Sequence, residues 1–183
     1  FKNNKITKIR DLAILQPNFE KFKNGLLIYE TNNSGVFFIN PDEPNSLELF
    51  LEPKSEYSLL TNKTKDLILV SFKENGHWQS QIIDSNKQNK FSFTWGTIKN
   101  KCSFEELLIC AIPADLQNFS IDDWLSLKSY YDQKIIIYDP RDNGIKEITL
   151  EDKFDFIKPK LTPLGIITWN RLDGKFYLIK FNQ

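Results

Sequence analysis

Short apolar runs separated by turn residues fill most of the chain from Gly25 onward. Four pairs of these runs flank turns rich in Asn, Asp and Gly, and this is the pattern of a β-hairpin. The pairs are residues 26–29 with 36–39, 67–72 with 78–83, 135–138 with 145–150, and 166–169 with 175–181. Asn-Gly and Asp-Gly turns supply the positive φ angles that tight hairpins require. The sequence therefore predicts a set of antiparallel hairpins.

In two further segments, apolar and polar residues alternate with a period of two. Leu47, Leu49 and Leu51 share one face of the first, and aromatic residues share one face of the second, at 91–95. A period of two is typical of a strand with one dry face. We expect a strand at each place.

Two segments carry a helical signature instead. Ser103 and Ser120 each begin a capping-box pattern that is followed by apolar residues at helical spacing. The sequence therefore predicts a short two-helix insert at about 103–132, with helices over 103–111 and 120–132. A short helix within residues 1–24 and a long surface loop over 150–164 complete the expected elements.

These elements indicate an α+β fold, predominantly antiparallel β, in which the hairpins form a sandwich or an open barrel. At 183 residues we expect a single domain over 1–183. The hairpin turns are unevenly spaced, and this argues against a propeller or a solenoid.

Charge and composition restrict the partners. Lys plus Arg and Asp plus Glu both number 24, so the net charge is zero, which argues against phosphate-driven nucleic-acid binding and an anionic membrane. The two cysteines, Cys102 and Cys110, are too few for a disulfide-stapled scaffold and fit small apolar filler. We expect a soluble chain in the cytoplasm or otherwise inside the cell. The abundance of Asn and Lys indicates an AT-rich genome.

Catalytic signatures are sparse. His77 is the only histidine, which excludes sites that need two imidazoles, and neither a phosphate-binding glycine loop nor a G-x-S-x-G elbow is present. We therefore expect no cofactor and lean against an enzyme.

One arrangement has catalytic logic. Asp42 follows Pro41, and Glu52 and Lys54 flank Pro53, so these residues resemble the PD-(D/E)XK signature of metal-dependent nucleases. The resemblance implies that Asp42 and Glu52 hold Mg²⁺ or Mn²⁺ while Lys54 helps to orient the attacking water. Nuclease activity is the alternative hypothesis for this chain.

The leading hypothesis is a non-enzymatic binding or interaction module with an aromatic-rich β surface. Trp78, Trp95 and His77 are the candidate ligand-binding residues, with Trp169 as a further accessible indole, and the partner is a protein or a small polar ligand. The competing interpretation is that the aromatic strands form a buried core. A third hypothesis is a structural domain of a larger assembly, because the sequence begins at Phe1 and not at Met.

Overall fold

A computed structural model of the chain describes residues 14–43, 46–62, 64, 66–114, 123, 132–150 and 152–181. Within these ranges, fourteen β-strands form three antiparallel sheets. The prediction of a predominantly antiparallel β fold is confirmed.

The first sheet has seven strands that pair in chain order. They are β1 (Asn18–Phe22), β2 (Gly25–Tyr29), β3 (Asn32–Ile39), β4 (Leu47–Thr61), β5 (Leu67–Glu74), β6 (His77–Asp84) and β7 (Asn89–Phe93). The second sheet contains β8 (Cys102–Phe104), β9 (Leu108–Pro113), β10 (Gln133–Asp139) and β11 (Gly144–Thr149), and the third contains β12 (Phe156–Thr162), β13 (Gly165–Asn170) and β14 (Lys175–Ile179). A short 3₁₀ turn, Lys99–Lys101, precedes β8.

The long strand β4 divides the first sheet into two halves. Its first part pairs with β3 and its last five residues pair with β5. Phe22 and Leu27 from one half pack with Val70 and Ile83 from the other in a single buried cluster. The two halves therefore face each other, with β1–β4 on one side and β4–β7 on the other.

The same face-to-face packing continues along the chain. The opposite face of the β4–β7 half, with Leu69 and Ile82, packs on the second sheet through Leu108 and Ile136. The other face of the second sheet then packs on the third, where Phe156 and Ile166 are buried, as neighbouring residues of each strand point to opposite faces. Four antiparallel units are thus packed in series.

The units contact each other through their first strands, and β12 contacts β9 as well as β8. β1 contacts β4, β4 contacts β8, and β8 contacts β12. Consecutive small sheets that converge at their first strands are arranged as the blades of a β-propeller are. The uneven spacing of the turns, from which the sequence argued against a propeller, does not reflect the strand order, which is nearly the same in each unit.

All four predicted hairpins are present as antiparallel neighbours, β2–β3, β5–β6, β10–β11 and β13–β14. Asn75 and Gly76 both have positive φ, as the two central residues of a tight hairpin turn require. Asn143 and Gly174 also have positive φ at their turns. Turn chemistry therefore located three of the four turns correctly. In the first hairpin, the polar residues expected to form the turn before residue 36 lie mostly within β3.

The predicted helix over 103–111 is wrong, because this segment contains β8 and the first half of β9. β9 is buried on both faces, and a doubly buried strand lacks the polar alternation that separates a strand from a helix in sequence. The second helix, 120–132, lies outside the described residues apart from Asp123 and Asp132.

The predicted loop over 150–164 is wrong in its second half, where β12 runs from Phe156 to Thr162. The register of β12 against β13 shifts between Ile157 and Lys160, where Pro159 lies. Proline has no N–H to donate and is tolerated in sheets at bulges and edges. β12 is the edge strand of its sheet, so the proline does not break it.

Cys102 and Cys110 are joined by a disulfide, so the expectation of two unlinked cysteines is wrong. The residues lie directly opposite each other on β8 and β9, and both are buried. Eight positions separate them in sequence, and only the antiparallel pairing brings them together. Within the described ranges, no helix has the length and apolar character needed to cross a bilayer.

Candidate functional site

Trp95 lies inside the protein. Its indole is 6% exposed and stacks on Phe93 with ring centroids 4.3 Å apart. Phe93 also meets Tyr138 edge to face, so these rings form the core between the first and second sheets. At this position the interpretation as buried core holds, and the indole has no face open to a ligand.

Trp78 is partly exposed and borders a cavity of about 180 Å³. Gly96 makes room for it, because a Cβ at residue 96 would lie 2.2 Å from the Cβ of Trp78. The cavity is lined by Asn18, Tyr29, Thr31, Glu56, Tyr57, Ser58, Trp78, Ile98, Lys99 and Asn100. His77, although next in sequence, is exposed and does not line it.

Two buried tyrosines form the wall of this cavity. The Tyr29 hydroxyl accepts a hydrogen bond from the backbone N–H of Leu59, 3.3 Å away, and the Tyr57 hydroxyl donates to the backbone oxygen of Glu52 at 2.5 Å. Burial raises the pKa of Tyr29 and raises that of Tyr57 to about 12. Both phenols therefore stay protonated at neutral pH and serve as structure. The volume is below the roughly 300 Å³ at which drug-sized ligand sites begin, so the cavity fits one side chain or a small polar molecule.

The three nuclease-like residues do not converge. Asp42 lies in the turn after β3, whereas Glu52 lies opposite Gly35, between the paired positions Ser34↔Lys54 and Val36↔Leu51. From Gly35 to the end of β3 at Ile39 is roughly 13 Å of strand. Two ligands of one divalent cation lie within about 5 Å of each other, so no single ion bridges this pair.

Lys54 is also directed elsewhere, since its amine pairs with Glu74 on β5. Lys63 and Lys65, which a nuclease would use to hold phosphates, lie outside the described residues. In the part of the chain that the structure describes, no three His, Cys, Asp or Glu side chains are grouped to hold a metal ion.

A buried polar cluster was missed by sequence reasoning. Asp155 accepts hydrogen bonds from Lys101, Gln133 and Arg171, and its backbone N–H donates to Asn170 at 2.8 Å. Burial lowers the pKa of Lys101 to about 7, despite the opposing effect of the Asp155 carboxylate. These residues come from distant parts of the sequence, and no local motif marks them. Their near-complete burial indicates a role in joining the second and third sheets.

Among the described residues, the third sheet displays an exposed pair of aromatic side chains. Trp169 lies directly opposite Phe176, and Ile167 lies opposite Leu178, so these four side chains share one face. Trp169 is 37% exposed and Phe176 is 78% exposed. The other face of the same strands packs on the second sheet through Ile166 and related residues. We call the surface formed by Ile167, Trp169, Phe176 and Leu178 the downstream face.

The downstream face exposes a large continuous area of apolar surface. Its exposed apolar area is on the order of 400 Å², in the range of the largest apolar patch on a typical monomer, which is often functional. Trp169 was among the indoles predicted to be accessible, but it lies on a different sheet from Trp78, and Trp95 is buried in the bend after β7. The exposure of Phe176 could not be predicted from the sequence, because an alternating strand pattern does not say which face of the strand another layer covers.

Comparison with known proteins gives the fold and no more. No protein-family model matches the sequence, and no curated protein matches it. Among solved structures, the chain is similar to the crystal structure of the computationally designed Ika4 protein, with a TM-score of 0.57 and 11% sequence identity over 97% of this chain and 100% of that one. At this identity the similarity concerns the arrangement of the strands.

Proposed function

We propose that this chain is a non-enzymatic interaction module that binds a protein through its downstream face. The observation that carries this proposal is the pairing of Trp169 with Phe176 on an otherwise uncovered sheet face. Every other sheet face between the successive units is covered by its neighbour. The downstream face has the same apolar character without a covering layer.

The residue types on this face support protein binding. Tryptophan and other aromatic residues are enriched at the energetic centres of protein interfaces, where they fill pockets on the partner. Phe176 stands out furthest, and Ile167 and Leu178 extend the apolar surface beside the aromatic pair. The scattered positions of Asp42, Glu52 and Lys54 add nothing that would support catalysis.

The disulfide bears on the cellular compartment in which the chain resides. Disulfides persist in oxidising compartments and are rare in the cytosol. Cys102–Cys110 therefore favours an oxidising compartment over the intracellular location that the cysteine count suggested. A measurement of the thiol state of Cys102 and Cys110 in the source cells tests this location.

The test uses a tagged chain in an extract of its source cells, with retained proteins identified by mass spectrometry. A W169S/F176S double variant should lose the retained protein, whether this is another protein or further copies of the chain. I145S is the control, because Ile145 is an exposed apolar residue on β11, away from the downstream face. Equal retention by the wild type and the double variant would overturn the proposal.

A further inference from the structure

The opposite end of the series also presents exposed apolar side chains. Phe19, Ile28, Phe37 and Leu49 lie side by side across β1, β2, β3 and β4, on the face turned away from the first core cluster. Within this row Ile28 is buried, at 8% exposed. Phe19 is 55% exposed and Leu49 is 40% exposed. We call this row, together with Leu26, the upstream face.

We infer that the downstream face of one copy of the chain packs on the upstream face of a second copy, and that the same contact forms in the reverse direction to close a dimer. This inference rests on the proposed function and names its partner. It concerns two surfaces on the same chain that no neighbouring unit covers.

The contact would repeat one that the fold already makes three times. Within the chain, each unit covers the following unit with one face and the preceding unit with the other. The downstream face is the one that a following unit would cover, and the upstream face is the one that a preceding unit would cover. Joining them between copies continues the same packing.

Closure limits the number of copies. A contact between two different surfaces forms rings when the rotation closes and open fibres when it does not. Each copy contributes four units, and propeller-like rings typically contain about four to eight. Two copies bring eight units, the upper end of that range, so a closed ring of two copies would leave neither face exposed.

The available area is sufficient for a stable pair. The apolar surface of the two faces amounts to roughly 700 Å² per contact, or about 1,400 Å² for the two contacts of a closed dimer, within the size range of specific interfaces. A single contact would fall below that range. A closed pair is therefore favoured over a loosely joined chain of copies.

The first measurement is the mass of the untagged chain in solution, by light scattering and by sedimentation over a hundredfold range of concentration. We expect a dimer for the wild type and for I145S. F19S and F176S, on opposite faces, should each raise the dissociation constant at least tenfold. Both residues are exposed, so the variants should keep wild-type circular dichroism and thermal midpoints.

The second measurement separates this pairing from one between like faces. Chains carrying F19C are mixed with chains carrying F176C and treated with a short bis-maleimide. Cross-linked dimers should form in the mixture and be scarce when either variant is treated alone. Cross-linking of F176C with itself, or a dimer that F176S disrupts and F19S does not, would show pairing between two downstream faces.

Each outcome separates the two proposals. Pairing between downstream faces overturns the closed dimer and leaves the interaction function intact. A wild type that stays monomeric over the whole concentration range also overturns the dimer, and the extract experiment then decides the function alone. A dimer insensitive to both substitutions overturns the pairing of these faces.

Discussion

Lys101 and Asp155 form an ion pair that water does not reach, with side chains 1% and 0% exposed. Lys101 ends the 3₁₀ turn before β8, and Asp155 immediately precedes β12, so the pair joins the second sheet to the third. Gln133 and Arg171 bind the same carboxylate and leave it fully coordinated. A buried charge is tolerated only with such partners.

Removal of the carboxylate should be costly. We expect Asp155→Asn to lower the free energy of unfolding by about 3–5 kcal/mol, the usual effect of breaking a buried pair, because Lys101 and Arg171 lose their shared partner. Lys101→Met should cost less, since Asp155 keeps Gln133 and Arg171. Urea titrations at neutral pH give both values. A larger loss for Lys101→Met than for Asp155→Asn would contradict this order.

The same pair should give stability a distinctive pH dependence. Burial lowers the pKa of Lys101 to about 7 in the folded state, against 10.5 in the unfolded chain, so the unfolded state binds more protons between these values. Stability should therefore rise with pH over this window, by at most about 1.4 kcal/mol per pH unit for one proton. Unfolding measured from pH 7 to pH 10 should show the rise in the wild type and a flatter profile in Lys101→Met. Parallel profiles for the two proteins would exclude Lys101 as the source.

The disulfide should stabilise the fold measurably. Closing a loop of this length restricts the unfolded chain by about 2–3 kcal/mol. Reduction of the wild type should lower the urea midpoint accordingly, and the double variant C102A/C110A should show a similar loss and no response to reductant. Intact-mass measurement before and after alkylation verifies the oxidation state. An unchanged midpoint on full reduction would show that strand pairing alone holds β8 and β9.

Sequence patterns recovered the hairpins because their information is local. The turn at Asn75 and Gly76 needs only two residues of the right type, and the flanking apolar runs then pair with each other. The helix over 103–111 failed for the opposite reason. Ile109 and Cys110 pack into two different cores, and the sheets that complete these cores are formed by distant parts of the sequence.

The candidate site was harder to predict for the same physical reason. Trp95 and Trp169 look alike in sequence, each within or beside an alternating aromatic strand, yet Trp95 is covered by the second sheet and Trp169 is 37% exposed. Whether a tryptophan is exposed depends on which sheet packs on its strand, and a local sequence pattern does not give this. Asp42 and Glu52 are close in a short motif, but the register of β3 and β4 separates them along the hairpin.

Gly96 should be indispensable to the position of Trp78. An alanine Cβ there would lie 2.2 Å from the Trp78 Cβ and 2.7 Å from its backbone carbon, and backbone atoms have no flexible end that could move aside. We expect Gly96→Ala to cost at least the roughly 1–3 kcal/mol typical of overpacking, and to shift the near-ultraviolet circular dichroism as Trp78 is displaced. Gly174→Ala is the control, because Gly174 has a positive φ and no atoms within 4 Å of the new Cβ, so it reports backbone strain alone. The control should lose less stability and leave the Trp78 signal unchanged. If the two variants are equally stable and Trp78 keeps its signal in both, close packing at Gly96 does not fix the indole beside the cavity.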